Sequence, residues 1–380
     1  MVEKKQRVLS LDFLRGLTVA AMILVNNPGS WGHIYAPLEH SEWNGCTPTD
    51  MIFPFFLWIV GVSIAFSMGS KKEDPAQHNA TILKAVKRGI ILYLLGFFLA
   101  IFGKLVSDYK HALETVRILG VLQRIGIVFI ISSIIFIKTA RKNIFIILVG
   151  LLVFYWALMT FVPVPGIGYA NLEKETSLAA WVDRLVLTEA HTWSQSITWD
   201  PEGVLSTIPA VGSCLFGILV GLWMRRKDVD GTNKVAWLFS IGILTVILGL
   251  IWDLQFPINK ALWTSSFVLY TGGLACVALA LFYWIIDVQN YKRFTTPFVI
   301  YGVNAITVFF LAGLMPRLLG FFTVTRPDGV RVTILTRLYE VMYQANFSPI
   351  NASLAWAISY VLGFYILLWI MYKRNIVIKV

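Results

Sequence analysis

The chain has 380 residues, of which 57% are hydrophobic and only 14% are charged, and its mean hydropathy is +0.71. Apolar runs of about 20 residues recur along its length, which excludes a soluble globular protein and predicts an integral protein of the lipid bilayer. The net charge of +11 indicates loops that face anionic lipid rather than a nucleic-acid partner. Cys46, Cys214 and Cys276 fit neither a disulfide framework nor the spacing of a metal site, so we expect no metal.

The apolar runs predict an all-α fold, a polytopic bundle of about ten transmembrane helices that forms one domain over residues 1–380. The predicted spans lie at about 9–27, 48–69, 86–104, 117–137, 143–161, 204–224, 235–253, 263–286, 297–322 and 352–372. Lysine and arginine are concentrated in the loops on one side, which predicts that both termini are cytoplasmic. The outer loops then lie at about 27–47, 162–203 and 323–350.

The first span carries a polar stripe. Asp12 and Arg15 are three residues apart, so they share a helix face and can pair. These charges interrupt the apolar run, which favours a retained helix over a cleaved signal peptide. Asn26 follows Arg15 by eleven residues and returns to within about 20° of the same face. The stripe therefore runs from the cytoplasmic end of this helix to its outer end.

The outer loop before the second span is rich in chemically active groups. His40, Trp43, Asn44 and Asp50 place an imidazole, an indole, an amide and a carboxylate within eleven residues. Thr47 and Asp50 predict a helix start, with threonine at the N-cap and the carboxylate three residues later. The positive end of that helix then faces the His40 loop, where it stabilises a developing negative charge. The competing interpretation is a plain loop that leads into a spanning helix.

The fourth span contains Arg117 and Arg124, seven residues apart on one helix face. Arg124 has no carboxylate near it in the sequence. A charge inside a span is costly when it has no partner, so we expect either a ligand phosphate or a group on another helix beside it.

Two further polar clusters precede helices on the outer side. Asp200 and Glu202 come before the sixth span, and Asn259, Lys260 and Trp263 come before or at the start of the eighth. A helix cap explains Asp200, but capping alone does not explain Glu202 or Lys260. Three helices would thus begin with polar clusters that converge on one pocket.

Five motifs in order resemble the heparan-α-glucosaminide N-acetyltransferase family of transmembrane acyltransferases, in its bacterial branch. The motifs are LSLDFLRGL, HxxWNGxTxxDxIFPFF, RILGVLQRIG, WDPEGVLSTIP and PINKALWTSSF, and the resemblance covers nearly the whole chain. It implies transfer of acetyl from cytosolic acetyl-CoA to the amine of a glucosamine on the far side of the membrane. It also implies that His40 is the histidine of the first outer loop that the reaction uses. Asn26 matches the asparagine at the end of the preceding helix.

The chemistry of acyl transfer suggests roles for these residues. His40 serves as a general base or as a transient acyl carrier, since histidine titrates near neutral pH. Asn26 or Asn44, together with N–H groups at the Asp50 helix terminus, binds the oxyanion. Alternatively, Asp50 orients the imidazole of His40.

Two sets of residues are assigned to the substrates. Arg15 and Arg124, with cytoplasmic lysines, are the candidates for the phosphates of acetyl-CoA, which enters as a co-substrate from the basic side. The candidates for binding the amino-sugar acceptor are Trp43, Asn44, Asp200, Glu202, Asn259, Lys260 and Trp263.

Two other protein classes fit part of the pattern. A transporter for amino sugars or related solutes would use Asp12, Arg15 and Arg124 in a cavity at mid-membrane. A transporter of this kind is expected to contain inverted repeats or paired broken helices, and neither is found in the sequence. A non-catalytic scaffold would not need so many polar residues directed at one pocket. The resemblance places the protein in a bacterial inner membrane and allows a homodimer, and it leaves the acceptor and the acyl group open.

Overall fold

The computed structural model describes residues 8–107 and 109–378. These residues are mostly helical, and within them the only sheet is an antiparallel hairpin of β1 (Thr323–Thr325) and β2 (Arg331–Thr333). The prediction of an all-α membrane bundle is confirmed.

Thirteen α-helices follow one another in the described residues. They are α1 (Leu9–Asn26), α2 (Ile52–Lys72), α3 (His78–Ser107), α4 (Val121–Lys138), α5 (Arg141–Phe161), α6 (Leu178–Leu187), α7 (Thr207–Met224), α8 (Gly231–Asp253), α9 (Ser265–Phe282), α10 (Thr296–Val303), α11 (Ala305–Leu319), α12 (Ile334–Tyr339) and α13 (Pro349–Lys373). The longest connections lie between α1 and α2, between α5 and α6, and between α6 and α7. Two π-helical segments, Tyr283–Val288 and Glu340–Gln344, extend α9 and α12. Short 3-10 turns lie at Ala36–Leu38, Thr49–Met51, Pro75–Gln77 and Glu189–His191.

Nine of these helical segments are long and apolar enough to cross a membrane, and the pair α10 and α11 makes a tenth candidate. The predicted span over residues 297–322 corresponds to this pair, which bends by 80°. The break lies at Asn304, whose side-chain amide donates to the carbonyl of Ile376 at 3.1 Å and accepts from the N–H of Ile378 at 3.0 Å. The described residues contain this one bent pair, whereas the transporter architecture has broken helices in both halves.

The centre of the bundle is built on backbone contact between α2 and α7. A Cβ atom at Gly61 would lie 1.9 Å from the carbonyl oxygen of Cys214, and one at Gly217 would lie 1.9 Å from that of Trp58. Small residues allow this approach, which dispersion forces then stabilise in the membrane. The contact fixes the relation between the start of α2 and the start of α7, where the polar clusters lie.

We therefore expect the Gly217→Val variant to be strongly destabilised, by about 3 kcal/mol or more, because the helices must separate to admit the side chain. Thermal unfolding of the purified protein in detergent measures this. Gly150→Val is the matched control, since Gly150 of α5 has open space around its Cβ position. Equal unfolding temperatures for the two variants would contradict the packing described here.

Candidate active site

The start of α2 holds a buried carboxylate. Asp50 accepts from the backbone N–H groups of Ser41 and Thr47, each at 3.0 Å, and the hydroxyl of Thr47 accepts from the Asp50 N–H at 3.4 Å. The two bonds between Thr47 and Asp50 form the reciprocal pair of a capping box, as the sequence predicts. The carboxylate is thereby fixed in position at the N-terminus of the helix, where the helix dipole favours its negative charge.

His40 pairs with this carboxylate. The distance from His40 Nδ1 to Asp50 Oδ1 is 2.6 Å, and the side chains are 50% and 1% exposed, respectively. The imidazole therefore has one nitrogen held by a buried acid and a large part of its surface open. A histidine held in this way has a defined orientation and a defined tautomer.

Lys260 reaches the same place from the loop between α8 and α9. Its Nζ lies 3.1 Å from Nδ1 and 3.2 Å from Nε2 of His40, and 3.8 Å from Asp50 Oδ1. Its side chain is 20% exposed. Burial lowers the pKa of Lys260, while the charges of Asp50 and Glu202 oppose that change. The three side chains form a compact cluster, which we call the His40 cluster.

The two loops that carry the His40 cluster are tied together beside it. The backbone N–H of Gly45 donates to the carbonyl of Ile258 at 2.7 Å, and the side-chain amide of Asn259 donates to Asn44 Oδ1 at 3.2 Å. Gly45 has a φ of +106°, a conformation that favours glycine. The predicted proximity of Asn44 and Asn259 is thus present in the structure.

A free thiol lies near the cluster. Burial and the charge of Asp50 raise the pKa of Cys46 to about 12. Cys46 therefore stays protonated at neutral pH and is a poor nucleophile.

Asp200 and Glu202, the two carboxylates in the loop before α7, form ion pairs with Arg117. Arg117 Nε donates to Asp200 at 2.8 Å, and its Nη2 bonds both Asp200 and Glu202. Burial opposes ionisation, but the charges of Glu202 and Asp200 raise the pKa of Arg117. Both acids are buried, so we assign them to an ion network that holds the loop before α7. Arg117 lies in the segment before α4, so the prediction that it shares a helix face with Arg124 is wrong. Its contact with the two acids was not predicted, because 83 and 85 residues separate Arg117 from its partners.

A second acid supports this loop. Asp183 of α6 accepts from the backbone N–H groups of Asp200 at 3.1 Å and Val204 at 2.8 Å, and burial raises its pKa to about 6. The role of Asp183 could not be predicted from the sequence, because its partners are backbone groups in a distant loop.

Arg124 and Trp263 are buried beneath the loop before α7 and do not reach its surface. Arg124 is 1% exposed and donates to the carbonyls of Pro201 at 3.2 Å and Gly203 at 3.0 Å. Its guanidinium lies 5.2 Å from the ring of Trp263, which is fully buried. Two kinds of partner were expected for Arg124, either a ligand phosphate or a group of the protein. The structure shows protein groups. The assignments of Arg124 to a donor phosphate and of Trp263 to a sugar face are therefore corrected to support of the site.

Trp43 belongs to a group of indoles near the His40 cluster. It donates to the carbonyl of Leu172 at 2.9 Å and meets Trp199 edge to face, with ring centroids 5.1 Å apart. Trp199 in turn contacts Trp193 at 5.9 Å. Indoles at such a position provide flat apolar faces of the kind that pack on sugar rings.

Asn26 faces a different space from His40. It lines a cavity of about 690 Å³ together with Lys104, Arg117 and Trp193. No contact described here joins Asn26 to His40. Arg117 connects the two regions, because it lines the cavity and also holds Glu202, whose charge acts on Lys260.

At the other end of α1, the predicted pair is present. Arg15 Nη2 lies 2.6 Å from Asp12 Oδ1, and Arg15 Nε donates to the carbonyl of Gly302 at 2.9 Å, at the end of α10. Arg88 of α3 is close enough for its charge to interact with that of Arg15. Arg15 therefore connects α1 with the helix pair that is broken at Asn304.

Comparison with known proteins gives one consistent result. The family model described as the catalytic region of heparan-alpha-glucosaminide N-acetyltransferase matches residues 7–250. The mouse heparan-alpha-glucosaminide N-acetyltransferase is 29% identical over 351 residues, which cover 80% of this chain and 53% of the relative. The human protein of that name is 27% identical over 355 residues, which cover 80% and 52%. The chain spans about half the length of these curated relatives.

The matched region contains the His40 loop, Arg117 and the Asp200 loop, and it ends before Lys260. Within the part of the chain that the structure describes, no group of three or more His, Cys, Asp or Glu side chains could hold a metal ion. The match extends over more than half of the residues, and the family resemblance drawn from the motifs is confirmed. The chain is a multi-pass membrane protein that belongs to the heparan-alpha-glucosaminide N-acetyltransferase family.

Proposed function

We propose that the protein transfers the acetyl group of cytosolic acetyl-CoA to the amine of a glucosamine-type sugar on the opposite side of the membrane. The observation that carries this proposal is the His40–Asp50 pair, a partly open imidazole held at 2.6 Å by a buried carboxylate. The membership of the family supports the same reaction type. The distribution of lysine and arginine supports cytoplasmic termini in a bacterial inner membrane.

The reaction forms an amide bond and breaks a thioester. The amine attacks the thioester carbonyl, the tetrahedral intermediate collapses, and the CoA thiolate leaves and takes up a proton. Asp50 engages Nδ1 of His40, so Nε2 is the nitrogen that accepts the proton of the amine. In the alternative path, Nε2 attacks the thioester first and carries the acetyl group to the amine.

Positive charge beside His40 stabilises the oxyanion. The ammonium of Lys260 lies at nearly equal distances from both ring nitrogens, which places it next to the reacting carbonyl in either path. The amide of Asn44 is tied to the same loop by Asn259. Trp43 and Trp199 provide the indole surface for the acceptor sugar.

The donor follows α1. Arg15 contacts the phosphates of acetyl-CoA, and the cavity at Asn26 holds the pantetheine arm. Arg15 and Asn26 are about 16 Å apart along the helix, a length that this arm can bridge when it is extended. Asn26 then binds the arm, and the oxyanion forms beside His40 and Lys260.

The test is acetyl transfer by the purified full chain in proteoliposomes, with labelled acetyl-CoA outside and glucosamine inside. We expect labelled N-acetylglucosamine in the lumen and one CoA thiol released per acetyl group transferred. Glucose, which has no amine, is the matched control acceptor. Loss of unmodified glucosamine from the lumen, without any binding of CoA, would overturn the proposal in favour of a transporter.

A further inference from the structure

An apolar groove runs along the outside of the bundle between α5 and α8. Helix α5 packs against α7, and α8 packs against α9, so that α7 forms the floor of the groove. The groove encloses about 850 Å³. Its walls include five exposed apolar side chains, Phe145, Val149, Val153, Ile241 and Leu248. The α5 side chains repeat at intervals of four residues, which gives a continuous stripe on one helix face.

One end of this groove is positively charged. Arg141 and Lys142, both exposed, form the first turn of α5 and line the groove. Arg226 lies 5.0 Å above the ring of Trp223 at the same end, although its charge is offset by Asp228. Trp223 itself forms part of the floor. The groove therefore has a cationic mouth and an apolar length.

The dimensions match one leaflet of a bilayer. From Arg141 to Val153 the helix rises by about 18 Å, and a leaflet contributes about 15 Å of hydrocarbon. We propose that the α5–α8 groove binds an anionic phospholipid, with an acyl chain against Val149 and Leu248 and the phosphate at Arg141 and Lys142. A second copy of the chain fits less well, because a two-fold contact would bring the cationic mouths of both copies together.

The experiment compares two lipids with identical acyl chains, phosphatidylglycerol and phosphatidylcholine. The full chain is stripped of lipid in a neutral detergent, and dissociation constants are measured by native mass spectrometry. A basic side chain near an anionic lipid contributes roughly a fivefold change in affinity, so we expect Arg141→Gln with Lys142→Gln to weaken phosphatidylglycerol binding about 25-fold. Binding of phosphatidylcholine should stay unchanged. The control is Lys292→Gln with Arg293→Gln, an exposed pair in the loop before α10.

A second variant tests the apolar length of the groove. Val149→Trp fills it and should weaken both lipids, with an unfolding temperature close to that of the wild type. The proposal is overturned if the Arg141 and Lys142 double variant binds phosphatidylglycerol as well as the control pair does. It is also overturned if Val149→Trp leaves lipid binding intact and converts a dimer to a monomer, which would assign the groove to a second copy.

Discussion

The His40→Ala variant is expected to lose acetyl transfer by roughly 10²- to 10⁴-fold, the range that a general base contributes. In the proposed mechanism the imidazole takes the proton of the attacking amine. Lys260 is paired with Asp50, which is buried. The measurement is the turnover of labelled acetyl-CoA with glucosamine by the purified protein.

The matched control for this variant is His33→Ala. His33 lies on the same loop, and its imidazole Nδ1 lies 3.2 Å from the hydroxyl of Ser30. This control should retain full activity, and both variants should unfold at the wild-type temperature. If His40→Ala turns over within a few-fold of the wild type, the histidine is not the base, although the enzyme assignment stands.

The Asp50→Asn variant should retain the fold but lose most of the activity, by about 10²-fold or more. The carboxylate holds His40 Nδ1–H and leaves Nε2 as the basic nitrogen, and an amide that presents its NH₂ group to Nδ1 selects the wrong tautomer. The loss should appear in turnover rather than in the Michaelis constant for acetyl-CoA, because Asp50 acts through His40.

Asp74→Asn is the control for the structural part of this effect. Asp74 also accepts from a backbone N–H at the start of a helical turn, that of Ala76 at 3.1 Å, and it is half-buried and follows the far end of α2. Asparagine caps a helix about as well as aspartate, so the unfolding temperature of Asp74→Asn should stay close to that of the wild type. Turnover by Asp50→Asn equal to that of the control would show that the carboxylate only caps the helix.

The sequence predicted those parts of the site that depend on short spacings. The capping contact of Thr47 with Asp50 and the pair of Asp12 with Arg15 are separated by three residues, so helix geometry brings them together. The start of α2 and most spans follow from the same local rules. The role of His40 and the family were inferred from the resemblance of the motifs.

Contacts between distant segments were not predictable in this way. The pairing of Arg117 with Asp200 and Glu202, and the approach of Lys260 to His40, depend on how α4, α7 and α9 pack. No proline lies at the break at Asn304, so the sequence does not indicate it. The break is stabilised by backbone groups more than 70 residues away. Arg124 was expected to need a partner, but the sequence alone did not distinguish a ligand from the loop carbonyls that the structure provides.

The glycine contacts between α2 and α7 also have a consequence for motion. Helices whose backbones are in contact cannot slide or tilt independently, because any shift moves a carbonyl of one helix into the backbone of the other. The start of α2, with Asp50, and the start of α7 must therefore move as one rigid body. The loop that carries Lys260 belongs to the same unit, because Ile258, Asn259 and Leu262 are buried and hydrogen bonds join this loop to Gly45 and Asn44.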